Sequence, residues 1–127
     1  MGRPVRQAVA DVENETYYRL PHFLFMEEFA YLTNDARVLY ATLLDLLEAS
    51  VENGCYDECG NVSIDFEREK YKKLLRMSDE TIIKTFTELL AYELLEYVKK
   101  GDPSKFYLLH YQNPGRNVAA NGGAVNE

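Results

Sequence analysis

Residues 74–100, "LLRMSDETIIKTFTELLAYELLEYVKK", carry two structural signals in one run. Ser78 is a residue type that caps helix N-termini. Asp79 and Glu80 follow it in the first turn, where the positive end of the helix dipole favours carboxylates. Ile82, Phe86, Leu89 and Leu90 then recur at helical spacing with Ile83 beside them, which predicts one apolar face. Thr81, Lys84, Thr85 and Glu88 repeat at i, i+3, i+4 and i+7 on another face, and that polar stripe extends back to Ser78. The run then changes period, and Leu95 to Val98 read as a strand. A capped amphipathic helix running into a strand needs neighbours to cover its apolar face, so the flanking segments decide the fold.

Immediately upstream, "EREKYKKLLRM" (67–77) predicts a short amphipathic helix with Tyr71, Leu74 and Leu75 inward. Arg68, Lys70, Lys72, Lys73 and Arg76 fall largely outward. Two helices joined by a turn of a few residues form a helix-turn-helix unit, and a generic αα-hairpin shares the pattern. Downstream, Gly101, Asp102, Pro103 and Ser104 are turn-forming types, and Phe106 to Tyr111 read as the returning strand, so the pair predicts a β-hairpin wing.

Further upstream, "LTNDARVLYATLLDLLEASVENG" (32–54) predicts a long helix with Thr33 as N-cap, Asp35 in the first turn and Gly54 past the end. Its apolar positions cover most of the circumference and leave Asn34, Arg37, Asp45, Glu48 and Glu52 as a narrow polar stripe, as expected of a central buried helix. "CYDECGNVSIDF" (55–66) reads as a hairpin, with Gly60 in the turn and Val62, Ile64 and Phe66 alternating toward one face. "YYRLPHFLF" (17–25) reads as an edge strand or an extended aromatic arm because Pro21 cannot donate to a ladder. A short helical turn, "MEEFAYL", follows it.

The chain of 127 residues, 46% of them apolar, fits one domain with a real core. Residues 1–15 and 113–127 are polar or low in complexity, which predicts a disordered N-terminus and a disordered tail or truncated linker around a folded unit at 16–112. The longest apolar runs fall short of the roughly 20 residues that cross a bilayer. No stretch has the form of a secretory signal, so a cytoplasmic location is expected. Cys55 and Cys59 form one pair with no second pair following, so no metal is expected. No cofactor is expected either. Without a phosphate-cradling loop or a nucleophile with a nearby histidine, the sequence does not read as an enzyme.

A net charge of −7 argues against indiscriminate binding to nucleic acid, since such affinity comes largely from neutralising phosphates. The charge is unevenly distributed. Residues 11–67 hold 13 acids against two arginines, whereas 68–105 hold nine lysines or arginines against seven acids. The mildly basic part contains both helices of the pair and the wing. The sequence therefore predicts an α+β fold, a winged helix-turn-helix with an N-terminal aromatic arm and a β-hairpin wing.

The succession "YYRLPHFLF", "LTNDARVLYATLLDLLEASVENG" and "YDECGNVSI" resembles the N-terminal domain of the replication initiator protein A family of plasmids and mobile elements. The resemblance runs from about Tyr17 to Tyr111. It implies a DNA-binding domain that acts as a dimer on origin repeats in double-stranded DNA to start replication, with host replication proteins as further partners. On that reading the candidate DNA contacts are Ser78, Thr81, Lys84 and Thr85 on the second helix, and Lys72, Lys73 and Arg76 before it. Lys99, Lys100 and Lys105 would contact DNA from the wing. Lys84 is the best placed for a guanine edge or a phosphate. Tyr17, Tyr18, Phe23 and Phe25 form either the edge of the core or a dimer surface. The alternative is a winged-helix protein-interaction module that has lost DNA binding.

Overall fold

Two capped helices set the frame. In the computed structural model, which describes residues 2–54, 56–99 and 104–111, the longest element is α2, Asn34–Glu52. It follows α1, Val9–Asn14, a short helix with no buried residue. Thr33 caps α2 as expected: its Oγ1 accepts from the Ala36 amide at 3.2 Å. Helix α3, Arg68–Leu75, and helix α4, Asp79–Ala91, follow, and Ser78 caps α4 by accepting from the Thr81 amide at 3.1 Å. Residues 1–15 were expected to be disordered, so α1 at Val9–Asn14 is an addition to that reading. The tail from 112 onward lies outside the described residues.

The three strands β1 (Ser63–Asp65), β2 (Leu95–Lys99) and β3 (Lys105–Leu108) form one antiparallel sheet in the order β1-β3-β2. This corrects the hairpin expected at 55–66. The partner of β1 is β3, with Ile64 opposite Phe106, so the strand is closed by a segment about forty residues away and not by residues next to it. The preceding loop is held instead by Asp57, whose carboxylate accepts from the amides of Cys59 and Asn61, both at 2.9 Å. These two bonds hold the Asp57 carboxyl below its ordinary range, with the Asn61 amide the larger cause. Gly60, at φ +83°, takes the turn conformation that suits glycine. Cys55 lies outside the described residues, as does the turn at 100–103.

Leu39, Tyr40 and Leu43 of α2 are fully buried beneath Ile82, Phe86 and Leu89 of α4 and Ile64 and Phe106 of the sheet. Phe66, Phe86 and Phe106 form an aromatic knot, with the rings of Phe86 and Phe106 4.6 Å apart and edge to face. The sequence around 17–25 was read as an edge strand or an extended arm, at the edge of the core or on a dimer surface. Residues 17–21 carry no helix or strand, whereas His22–Phe25 form a 3-10 turn that seals one end of the core. Leu24 is completely buried, and the Phe23 ring packs edge-on against Phe29 at 5.6 Å and Tyr40 at 5.5 Å. Leu74, expected to point inward, is 47% exposed.

Candidate nucleic-acid interface

The side of α4 that meets solvent is rotated from the one the sequence suggests. Ile82, Thr85, Phe86 and Leu89 are buried, and Glu80, Ile83, Lys84, Thr87 and Ala91 are exposed. Thr85, expected on the polar stripe, is only 3% exposed. Its hydroxyl donates to the Thr81 carbonyl at 2.6 Å, so the one polar atom is satisfied inside the helix and the methyl group can join the core. Glu88 also leaves the stripe. Its carboxylate turns to α2 and accepts from the Thr33 amide at 2.6 Å and the Thr33 hydroxyl at 2.8 Å.

Sequence reasoning missed Thr87, although helical geometry contains it. A helix turns 100° per residue, so the positions opposite Ile82, Phe86 and Leu89 are 80, 84, 87 and 91. The threonine chemistry of position 85 drew the stripe to the wrong side. Thr81 is half-buried, and its hydroxyl accepts from Ser78 Oγ at 3.0 Å, so both hydroxyls are engaged in the cap.

The turn between the helices is tight. The Arg76 and Met77 amides both donate to the Lys72 carbonyl, and Arg76 sits at φ 56°, ψ 44°, in the left-handed region. A non-glycine residue costs about 1 kcal/mol there. That position leaves Arg76 exposed between the two helices.

Of the seven basic residues expected at the site, five have described side chains, and three of these are free. Lys73, Arg76 and Lys84 are exposed, with no carboxylate partner among the described residues. Lys72 is bound to the first turn of α4: its Nζ lies 2.9 Å from Asp79 Oδ1 and 3.4 Å from Glu69 Oε2. The Asp79 bond raises the Lys72 pKa, and the same bond lowers that of Asp79. Lys105 pairs across the strands with Asp65 at 2.7 Å, so it is not the free wing cation that was expected. Lys100 and the side chain of Lys99 lie outside the described residues. Beside α4, a groove of about 600 Å³ separates the helix from the sheet and is lined by Phe66, Arg68, Lys70, Ile83 and Tyr97, among others.

The four aromatic residues expected at a dimer surface divide. Phe23 is part-buried against the core, and Phe25 lies beneath the Arg37 guanidinium, 4.6 Å from its ring centre. Tyr17 and Tyr18 are exposed, and Tyr18 lines an apolar groove of about 150 Å³ with Leu20, Val38, Ala41 and Leu74. Among the described residues, no group of three or more histidine, cysteine, aspartate or glutamate side chains could hold a metal ion, and no helix is long and apolar enough to cross a membrane.

Comparison with known proteins gives the geometry a context. A profile described as replication initiator protein A (RepA) N-terminus matches residues 16–120. A "41 kDa protein" of Lactobacillus helveticus is 29% identical over 113 residues, which are 82% of this chain and 32% of that protein, so the chain spans about a third of the relative's length. Three solved structures superpose. One described as "N-Terminal domain of DNA binding protein" has a TM-score of 0.68 at 30% identity and covers 85% of both chains. "Structure of Rep-DNA complex" has a TM-score of 0.68 at 30% identity and covers 84% of both. "Structure of MDR initiator" has a TM-score of 0.69 at 28% identity and covers 86% of this chain and 88% of its own.

Proposed function

The chain belongs to the replication initiator protein A N-terminus family, and from that premise we propose that it is the sequence-specific DNA-binding domain of a plasmid-type initiator. It binds repeats in an origin as a dimer, in the cytoplasm, and carries no catalysis of its own. The order helix, strand, helix, helix, strand, strand with a β1-β3-β2 sheet supports a winged-helix architecture in which α4 enters the major groove. One observation carries the reading: the exposed face of α4 offers Glu80, Ile83, Lys84 and Thr87 to a partner, beside the free cations Lys73 and Arg76.

Each residue on that face has a base-edge chemistry. Lys84 suits the guanine acceptors, Glu80 can accept from the cytosine amino group, and Ile83 and the Thr87 methyl can pack on a thymine methyl. Lys73 and Arg76 suit phosphates, which set position and affinity without reading sequence. The groove at Tyr18, Leu20, Val38 and Leu74 lies between the segment at 18–20, α2 and α3, away from the outer face of α4, and supports self-association there.

The test is titration with duplexes from the neighbourhood of the gene, at several salt concentrations. The logarithm of affinity should fall with the logarithm of salt by about 0.9 per phosphate contact. Lys84→Ala and Thr87→Ala should each cost about 1–3 kcal/mol of discrimination between the preferred duplex and a scrambled one. Lys73→Ala should weaken both duplexes alike, and sedimentation of the complex should show two chains per repeat. A flat response to salt would sink the proposal in favour of a protein-interaction module.

A further inference from the structure

The ion cluster at the junction of α3 and α4 has the composition of an occupied phosphate site. Arg68 and Lys72 are one turn apart on α3, and both turn toward the first residue of α4. A single oxygen, Asp79 Oδ1, lies between them, 2.9 Å from Lys72 Nζ and 3.6 Å from Arg68 Nε. Two cations converging on one anionic oxygen are what a protein presents to a DNA phosphate. The cluster is open to solvent on the Asp79 side, where the side chain is 57% exposed, whereas that of Lys72 is 23% exposed.

We propose that Asp79 is an internal stand-in for a DNA phosphate: it holds Arg68 and Lys72 ready but occupied, and so sets how much of the α3 charge reaches DNA. This rests on the DNA-binding reading above. It accounts for the presence of a carboxylate beside a basic helix without assigning the acid to base recognition. Glu69, the second acid near Lys72, lies farther from it at 3.4 Å and forms no ion pair with Arg68 among the described residues, so Asp79 is the acid that joins the two cations.

The alternative is that Asp79 merely ties α4 to α3. The two roles predict opposite signs. Loss of a tether loosens the helix pair and weakens binding, whereas loss of a stand-in frees two cations and strengthens it. Asp79→Asn keeps a short polar side chain at the start of the helix and removes the charge. The electrostatic part of DNA binding is independent of sequence, so a short mixed-sequence duplex serves as the probe, and binding is measured across a range of salt for the intact chain and its variants.

Asp79→Asn should bind more tightly at low salt, with a salt dependence steeper by about 0.9 for each cation released, up to two. Over a fourfold rise in salt, each added contact corresponds to about a threefold greater loss of affinity. Lys72→Gln should change the slope little while Asp79 is present, and should remove about half the gain once Asp79 is replaced. Weaker binding by Asp79→Asn, or an unchanged slope alongside normal wild-type binding, overturns the stand-in and leaves the DNA reading intact. Absence of salt-dependent binding by both proteins overturns both.

Discussion

The two ends of α4 use similar side chains for opposite purposes. At its last turns, Glu88 is spent on the fold: both carboxylate oxygens are bound to Thr33, the cap of α2. Across the same junction Arg37 donates to the Leu24 carbonyl, the Phe29 carbonyl and the Asn34 side chain at 2.8–2.9 Å, fastening the 3-10 turn at His22–Phe25 and a second one at Glu27–Phe29 onto α2. At its first turns the charges stay at the surface. Glu80 has no ion-pair partner among the described residues, Arg76 stands in a strained turn, and Asp79 pairs with cations that solvent can reach. A charge aimed at carbonyls and amides of a neighbouring segment acts on stability, whereas a charge left on the outer face is available to a ligand.

Three substitutions probe that contrast. The largest effect is expected from Arg37→Ala, which strands the Leu24 carbonyl at a part-buried junction and leaves the Phe29 carbonyl with the Leu32 amide alone. A loss of about 2 kcal/mol in chemical denaturation is expected, with DNA affinity per folded molecule unchanged. A matching loss of DNA affinity would mean that the two ends are not separate. Glu88→Ala comes next, at about 1 kcal/mol, because water can replace its bonds to the exposed Thr33. It too should leave the salt slope of DNA binding unaltered, despite removing an acid from the helix proposed to read DNA.

The smallest expected change in stability comes from Arg76→Gly, and it should have the opposite sign. Glycine relieves the left-handed backbone, and its greater freedom in the unfolded chain offsets part of the gain, leaving a net stabilisation of under about 1 kcal/mol. DNA binding should nonetheless weaken, with a slope shallower by about 0.9. A variant that is more stable and binds less well would mark Arg76 as strained for function. Equal binding would remove it from the interface.

Much of this arrangement was legible in the chain. Thr33 and Ser78 cap the helices expected of them, because a hydroxyl followed by an acid and an apolar repeat is a local signal. Family membership was legible too, in the order of three segments. The pairing of β1 was not. Nothing within residues 63–65 specifies a partner in residues 105–107, and a nearby glycine turn offered a closer but incorrect one. The arm misled for a related reason: proline before aromatic residues fits an extended segment, yet Phe23 and Leu24 gain more by covering Phe29 and Tyr40.

By itself the sequence determined the caps and the periods, which depend on residues within a turn or two of one another, and the family, which rests on the order of three such segments. Tertiary structure decided which polar side chains remain for a ligand. Periodicity gives an angle around a helix axis, but not what packs beside it, so Thr85 could enter the core with its hydroxyl bonded to Thr81. Glu88 and Lys105 were drawn to partners 55 and 40 residues away, Thr33 and Asp65. Asp79, which the sequence accounts for as a helix-end charge, gained its place between Arg68 and Lys72 only when the turn at Arg76 brought α3 and α4 together.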